Sequence, residues 1–220
     1  MIASELITDG IPPLKTSDTA ERALAWMGEF RVNHLPIVNN REFLGLISEE
    51  DIIDLNAPTE VIGAHSLSLI KPYVLEDAHI YEVINLINEQ KLTIVPVLNH
   101  TKTYLGLISL QDLLENFAMM TSVEGAGGIL VLELGVRDYS LAEIARIIEG
   151  DGARILSTYI TSHQDSTKLE LTLKIDKDDL TYIINSLVRF KYKIKGSYHI
   201  NKFLDDTVDR YESLMKYLNI

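Results

Sequence analysis

The feature that most constrains this chain is that it repeats itself. The run Asn33-His-Leu-Pro-Ile-Val-Asn39, then Phe43-Leu-Gly-Leu-Ile-Ser-Glu-Glu-Asp-Ile-Ile53, is answered by Thr93-Ile-Val-Pro-Val-Leu-Asn99, then Tyr104-Leu-Gly-Leu-Ile-Ser-Leu-Gln-Asp-Leu-Leu114. The spacing is 60 residues at the two prolines and 61 from Gly45 and Gly106 onward. Self-similarity at one held spacing marks two copies of a single supersecondary unit.

Each copy reads as a helix, two short strands and a helix. Ala20, Ala23, Leu24, Met27 and Phe30 fall on one helical stripe behind Asp18 or Thr19 as cap, and Ile80, Val83, Ile84 and Ile87 do the same behind Asp77. Residues 35–38 and 44–47 are short apolar runs bounded by turn residues, as buried strands are. Ser48 and Ser109 then open the next helix with Asp51 and Asp112 three residues on, the spacing of a capping box. A single Ser-x-x-Asp at such a turn is ordinarily only a cap. The whole string occurring twice is what gives it weight.

Charge is unevenly placed. Of the formal −12, residues 1–124 carry 7 basic against 18 acidic side chains, a net of −11, and residues 125–220 are close to neutral. An acidic surface repels a phosphate backbone, so nucleic acid and anionic membrane are poor partners for the first half. With no cysteine there is no disulfide framework, thiolate metal site or thiol nucleophile. No apolar run reaches the roughly 18 residues of a membrane span, and the first ten residues carry acids where a secretion signal carries Lys or Arg. The expected location is the cytoplasm.

The doubled string, hydrophobic-Pro-hydrophobic-hydrophobic-Asn, a hairpin, then Gly-Leu-Ile-Ser-x-x-Asp, closely resembles the CBS motif, and two in tandem resemble the Bateman module. The match covers residues 1 to about 120: a first motif in 1–60 and a second in 61–122. The resemblance implies clefts for adenosine-type ligands such as AMP, ATP or S-adenosylmethionine. It implies that backbone around Asn33, His34, Leu35 and Pro36, and around Thr93, Ile94, Val95 and Pro96, lies against adenine. It also implies that Ser48, Asp51, Ser109 and Asp112 reach ribose and phosphate. The chemistry is sound, since a carboxylate accepts from two vicinal hydroxyls and free N–H groups at a helix start favour phosphate. Two positions depart from the pattern: where many ligand-binding members carry Arg or Lys, this chain has Glu50 and Gln111. A like-charge contact at about 4 Å and an effective dielectric of 20 costs on the order of 4 kcal/mol. The second cleft is therefore the expected main site, and a polyphosphate in the first would need magnesium. Glu50 can equally point outward into solvent. No resident cofactor is implied.

Gly125-Ala-Gly-Gly128 breaks the pattern, giving a linker at 123–128. Beyond it the order is strand (129–134), helix (140–148), strand (153–161), strand (168–175), helix (179–190) and strand (192–200), within a domain 129–200. This βαββαβ order is ferredoxin-like. The run from Ser140 to Ser157 resembles the helix and second strand of an ACT domain, a module that in many proteins binds amino acids. The Pro-Gly of that family is replaced by Tyr139 and Ser140, whose side chains are expected to occupy the ligand's space and abolish amino-acid binding. Arg189, Lys191, Lys193 and Lys195 alternate with apolar residues, giving a basic strand face either solvated or offered to an acidic partner. Phe203, Leu204, Val208, Tyr211, Leu214, Met215 and Leu218 follow helical spacing, predicting a C-terminal helix over 201–220 that packs on a neighbouring domain or subunit.

The expected fold is thus α+β, a CBS pair followed by a ferredoxin-like, ACT-like domain and a C-terminal helix, similar overall to the CBS-plus-ACT proteins known as acetoin utilisation proteins. No Gly-x-Ser-x-Gly, His-Glu-x-x-His, Walker loop or Gly-x-Gly-x-x-Gly occurs, and neither Ser-x-x-Asp has a paired base. The leading reading is a homodimeric regulator gated by an adenosine-type ligand, with no nucleic-acid or membrane partner. The alternatives are a ligand-free dimerisation scaffold whose serines only cap helices, and an enzyme of unknown chemistry.

Overall fold

The structure is a computed structural model, and it describes residues 1–8, 10–65, 69–162 and 167–198. The chain forms two compact units, Met1–Asn116 and Phe117–Ile220. The expected helix at 201–220 lies outside the described residues.

In the first unit each copy of the repeat builds the predicted elements. The first has α1 (Ala20–Phe30), β1 (His34–Asn39), β2 (Glu42–Ser48) and α2 (Glu49–Leu55). The second has β3 (Val74–Leu75), α3 (Ile80–Gln90), β4 (Ile94–Leu98), β5 (Tyr104–Ser109) and α4 (Leu110–Met120). The apolar stripes of α1 and α3 bury Ala20, Ala23 and Met27, and Ile80, Val83 and Ile87. Thr19 caps α1, its hydroxyl accepting from Arg22 N at 3.3 Å. The cap of α3 is His79 rather than Asp77: His79 Nδ1 accepts from Tyr81 N, and Glu82 closes the box by accepting from His79 N at 3.0 Å. Asp77, two residues upstream of that cap, instead pairs with His100 at 3.3 Å.

β1 and β2, like β4 and β5, are antiparallel hairpins, and the change of spacing from 60 to 61 is a change of turn. The first hairpin closes through Asn40 and Arg41, both at positive φ, and the second takes one more residue, with Asn99 Oδ1 accepting from the amides of Thr101 and Thr103. The hairpins meet: Tyr104 N donates to Arg41 O at 2.9 Å, and the rings of Phe43 and Tyr104 stack at 6.5 Å.

Each copy's leading segment packs on the other copy. Leu46 N donates to Ile70 O at 2.8 Å, and at the equivalent position Thr8 N donates to Leu107 O at 2.9 Å. The glycine of each Gly-Leu-Ile-Ser string makes room for this exchange, since a Cβ at Gly45 would meet Leu69 and Ile70, and one at Gly106 would meet Ile7. The exchange closes one apolar core through both copies, from Leu6 and Leu14 to Ile108 and Leu113.

The second unit holds β6 (Ile129–Gly135), α5 (Leu141–Gly150), β7 (Ile155–Ser162), β8 (Lys168–Ile175), α6 (Thr181–Arg189) and β9 (Lys193–Tyr198). Its sheet runs β7-β8-β6-β9 with every pair antiparallel, the ferredoxin-like arrangement. Alternation along β6 puts Leu130, Leu132 and Leu134 in a core with Ile144, Ile148, Ile183 and Leu187 of the helices.

On the opposite face of the sheet, Glu133 accepts from Lys193 at 2.8 Å and Lys168 at 3.1 Å, and Glu170 pairs with Lys195. Two lysines of the basic strand are therefore matched by acids of the same sheet, Glu133 on the adjacent β6 and Glu170 one strand further on in β8. The bonds from Lys193 and then Lys168 hold Glu133 down at about 2, against an ordinary 4.5. Because the folded value is the lower one, this stabilisation is present above pH about 4.5 and lost as pH falls toward 2. Urea midpoints measured between about pH 5 and about pH 2.5 should therefore fall less steeply in Glu133→Gln than in the parent.

Candidate functional site

Hydrogen bonding across each strand–helix turn assembles the site. In β1–β2 His34 lies opposite Ser48, and in β4–β5 Ile94 lies opposite Ser109. The carbonyl of the residue just before takes the first amide of the following helix: Glu49 N donates to Asn33 O at 2.9 Å, and Leu110 N to Thr93 O at 3.0 Å. The Ser–Asp pair then closes the helix start. Asp51 N donates to Ser48 Oγ at 3.1 Å, while Asp51 Oδ2 accepts from Ser48 N at 2.9 Å and Ser48 Oγ at 2.7 Å. Asp112 N donates to Ser109 Oγ at 3.0 Å, and Ser109 Oγ donates back to Asp112 Oδ2. The bonds that the two carboxylates accept all fall on Oδ2, which leaves Oδ1 of each aspartate without a hydrogen bond among the described residues. Each copy thus keeps one carboxylate oxygen free of hydrogen bonds, among the described residues, at the turn where the proline strand meets the Ser–Asp helix start.

The two copies also touch at this level. Asn33 N donates to Thr93 Oγ1 at 3.0 Å, and Thr93 Oγ1 lies 3.1 Å from His34 Nδ1, which also accepts from Thr93 N at 3.4 Å. Burial holds the His34 imidazole below its ordinary pKa, while Asp51 and then Glu50 pull it the other way.

Of the residues singled out in the sequence, Asn33, His34, Thr93, Ser48, Asp51, Ser109 and Asp112 gather at these two turns. Leu35, Pro36, Ile94, Val95 and Pro96 are buried in the core, so a ligand there meets their backbone rather than their side chains. Glu50 is exposed, as is Gln111, whose amide donates to Glu115 at 3.3 Å. The bridge from Thr93 to His34 was not anticipated. The repeat alignment puts Thr93 opposite Asn33, but contact between copies requires knowing how they pack.

The second unit holds a cleft of about 630 Å³ at the end of β6, lined by Arg137, Tyr139, Ser140, Glu143 and Tyr192 among others. Ser140 caps α5, accepting from Glu143 N at 3.3 Å, and Tyr139 packs against the core. Both side chains thus line this cleft. Burial, and then a bond to Glu143, raise the Tyr192 hydroxyl above its ordinary pKa. Among the described residues no three His, Asp or Glu gather as a metal site, and no helix is long and apolar enough to cross a membrane.

The first unit is thus a pair of like motifs with exchanged leading segments and two equivalent turns that each offer a carboxylate. The CBS domain family model matches residues 3–57 and 69–118. The chain carries two CBS domains in tandem, and CBS pairs are regulatory, ligand-sensing modules, generally not catalytic.

An uncharacterised 33.4 kDa protein of a ribosomal RNA operon in Thermofilum pendens is 28% identical over 131 residues, covering 50% of this chain and 44% of that protein. The chain thus spans less than half the length of this curated relative. A CBS domain pair/ACT domain protein from Thermotoga maritima is 25% identical, with a TM-score of 0.47 over 54% of this chain and 98% of that one. CBSX2, solved in complex with AMP, is 17% identical with a TM-score of 0.47, over 54% of this chain and 96% of that one.

Proposed function

We propose that the CBS pair binds an adenine nucleotide or adenosyl ligand, chiefly in the second cleft, and that occupancy biases the ferredoxin-like unit or a partner protein. The observation that carries this is the open Oδ1 of Asp112, held by the Ser109 bonds beside the Thr93–Val95 backbone, where it can accept from the two hydroxyls of a ribose. Gln111 leaves this cleft without the extra negative charge that Glu50 brings to the first. The chain works in the cytoplasm as a homodimer, and the ferredoxin-like unit is of the ACT type without affinity for amino acids.

The ligand-free scaffold has its own support, because both Ser–Asp pairs are already satisfied as helix caps. Equilibrium binding of labelled AMP, ATP and S-adenosylmethionine separates the two. Saturable binding of at least one of them at micromolar to millimolar concentration is expected. None binding would leave the scaffold.

A further inference from the structure

Beyond Glu50 and Gln111, the two clefts differ at a second pair of equivalent positions, His34 in the first and Ile94 in the second. His34 is half-buried between the copies, and among the described residues the hydrogen bonds of its Nδ1 are made to Thr93. The amide of Thr93 donates to that nitrogen, so Nδ1 is an acceptor and the imidazole is the neutral form protonated at Nε2. The charged groups that act on it are Asp51 and Glu50, both from α2. From β2 it faces Ser48, and from the start of β4 Thr93, neither of which titrates at ordinary pH. With a neutral imidazole the charged groups acting at this position are the carboxylates of Asp51 and Glu50, which repel a phosphate.

The Thr93 hydroxyl makes the other state accessible. It accepts from Asn33 N and can donate to a neutral Nδ1, and an oxygen with two lone pairs can equally accept from a protonated Nδ1 as well as from Asn33 N. The bond between the Thr93 hydroxyl and the ring therefore survives protonation with a turn of the hydroxyl, while the Thr93 amide gives up its acceptor on Nδ1. In that state the cleft holds an imidazolium beside Asp51 and Glu50, and a phosphate meets a cation.

We propose that the first cleft is a proton-gated anion site, taking an adenosine phosphate only together with a proton on His34, whereas the second cleft, with Ile94 in that place, binds without one. This rests on the adenine-nucleotide reading above. It makes the pair a sensor of nucleotide and pH together, because an anion that favours the protonated imidazole must by linkage bind more tightly as pH falls.

The test follows the histidine ring protons of the whole chain by NMR against pH, alone, with saturating AMP and with saturating adenosine. His34→Gln identifies the His34 resonance, and phosphorus NMR follows the titration of the AMP phosphate itself, which falls near pH 6. AMP is expected to raise the His34 pKa by about one unit or more, equivalent to at least tenfold tighter binding to the protonated form, and adenosine is expected to leave it in place. A His34 pKa that AMP does not move, while other resonances show AMP bound, overturns the gating and leaves the nucleotide reading standing. Equal shifts from adenosine and AMP overturn it too. If no resonance responds to either compound at any pH, both the gating and the nucleotide reading fall.

Discussion

Gly45→Ala should lower the melting temperature by about 10 °C or more, while Gly28→Ala should raise it slightly. Gly45 has φ of +152°, a conformation that L side chains rarely adopt, and an added Cβ would stand 2.6 Å from Leu69 Cβ and 2.9 Å from the carbonyl oxygen of Ile70. That carbonyl accepts from Leu46 N, so the crossing segment can retreat only by giving up the bond that seats it. Backbone strain costs about 1–3 kcal/mol and overpacking a further 1–3 kcal/mol. At roughly 4–8 °C per kcal/mol for a unit of about a hundred residues, this is a loss of 10 °C or more. Gly28 lies within α1 with nothing within 4 Å of an added Cβ, where alanine gains about 0.5–1 kcal/mol of helix propensity. Thermal unfolding of the two variants checks both signs. Equal and small effects would show that the exchanged segments do not hold the first unit together.

Asp112→Ala should remove from about half to most of the stabilisation that an adenine nucleotide confers. A ligand at one hundred times its dissociation constant stabilises a fold by about 2.7 kcal/mol, raising the melting temperature by roughly 5–10 °C for a chain of this size. Removing the carboxylate takes away a charge-assisted hydrogen bond contributing on the order of 1.5–3 kcal/mol, a ten- to hundredfold loss of affinity. Asp51→Ala should cost less at neutral pH, since Glu50 and a neutral His34 already disfavour phosphate in the first cleft. Both variants lose the carboxylate half of a capping box, a helix-start acid contributing about 0.3–1 kcal/mol, so each melts slightly earlier without ligand, and only the ligand-dependent difference reports on the site. A shift that survives Asp112→Ala and vanishes in Asp51→Ala would reverse the assignment of the clefts.

Much of this architecture was legible because its signals are local. The apolar stripes of α1 and α3, the buried runs around Pro36 and Pro96, and the Ser-x-x-Asp starts of α2 and α4 are set by residues a few positions apart. So is the βαββαβ order of the second unit, where alternation along 129–134 marks the face that meets the helices. What escaped depends on distant partners. Residues 1–8 and the pair Leu69 and Ile70 have no periodicity to show that they cross to the other motif, although Gly45 and Gly106 mark the places where they land. The lysines of β9 read as a free basic stripe until the sheet order set Glu133 and Glu170 beside Lys193 and Lys195. The cap of α3 went astray for a smaller reason: Asp77 and His79 can both cap, and only the helix start at Ile80 decides between them. At the site, the paired carboxylates were readable from the motif, whereas the bridge from Thr93 to His34 is made by side chains 59 residues apart.

A crystal structure of the whole chain grown with AMP at about pH 8 tests the central claim most directly. The account predicts one nucleotide per chain, its adenine against the backbone of residues 93–95 and its ribose hydroxyls within hydrogen-bond distance, roughly 2.5–3.0 Å, of Asp112. Both clefts standing empty at saturating AMP, or the nucleotide lying instead in the cleft between Arg137 and Tyr192, would contradict it.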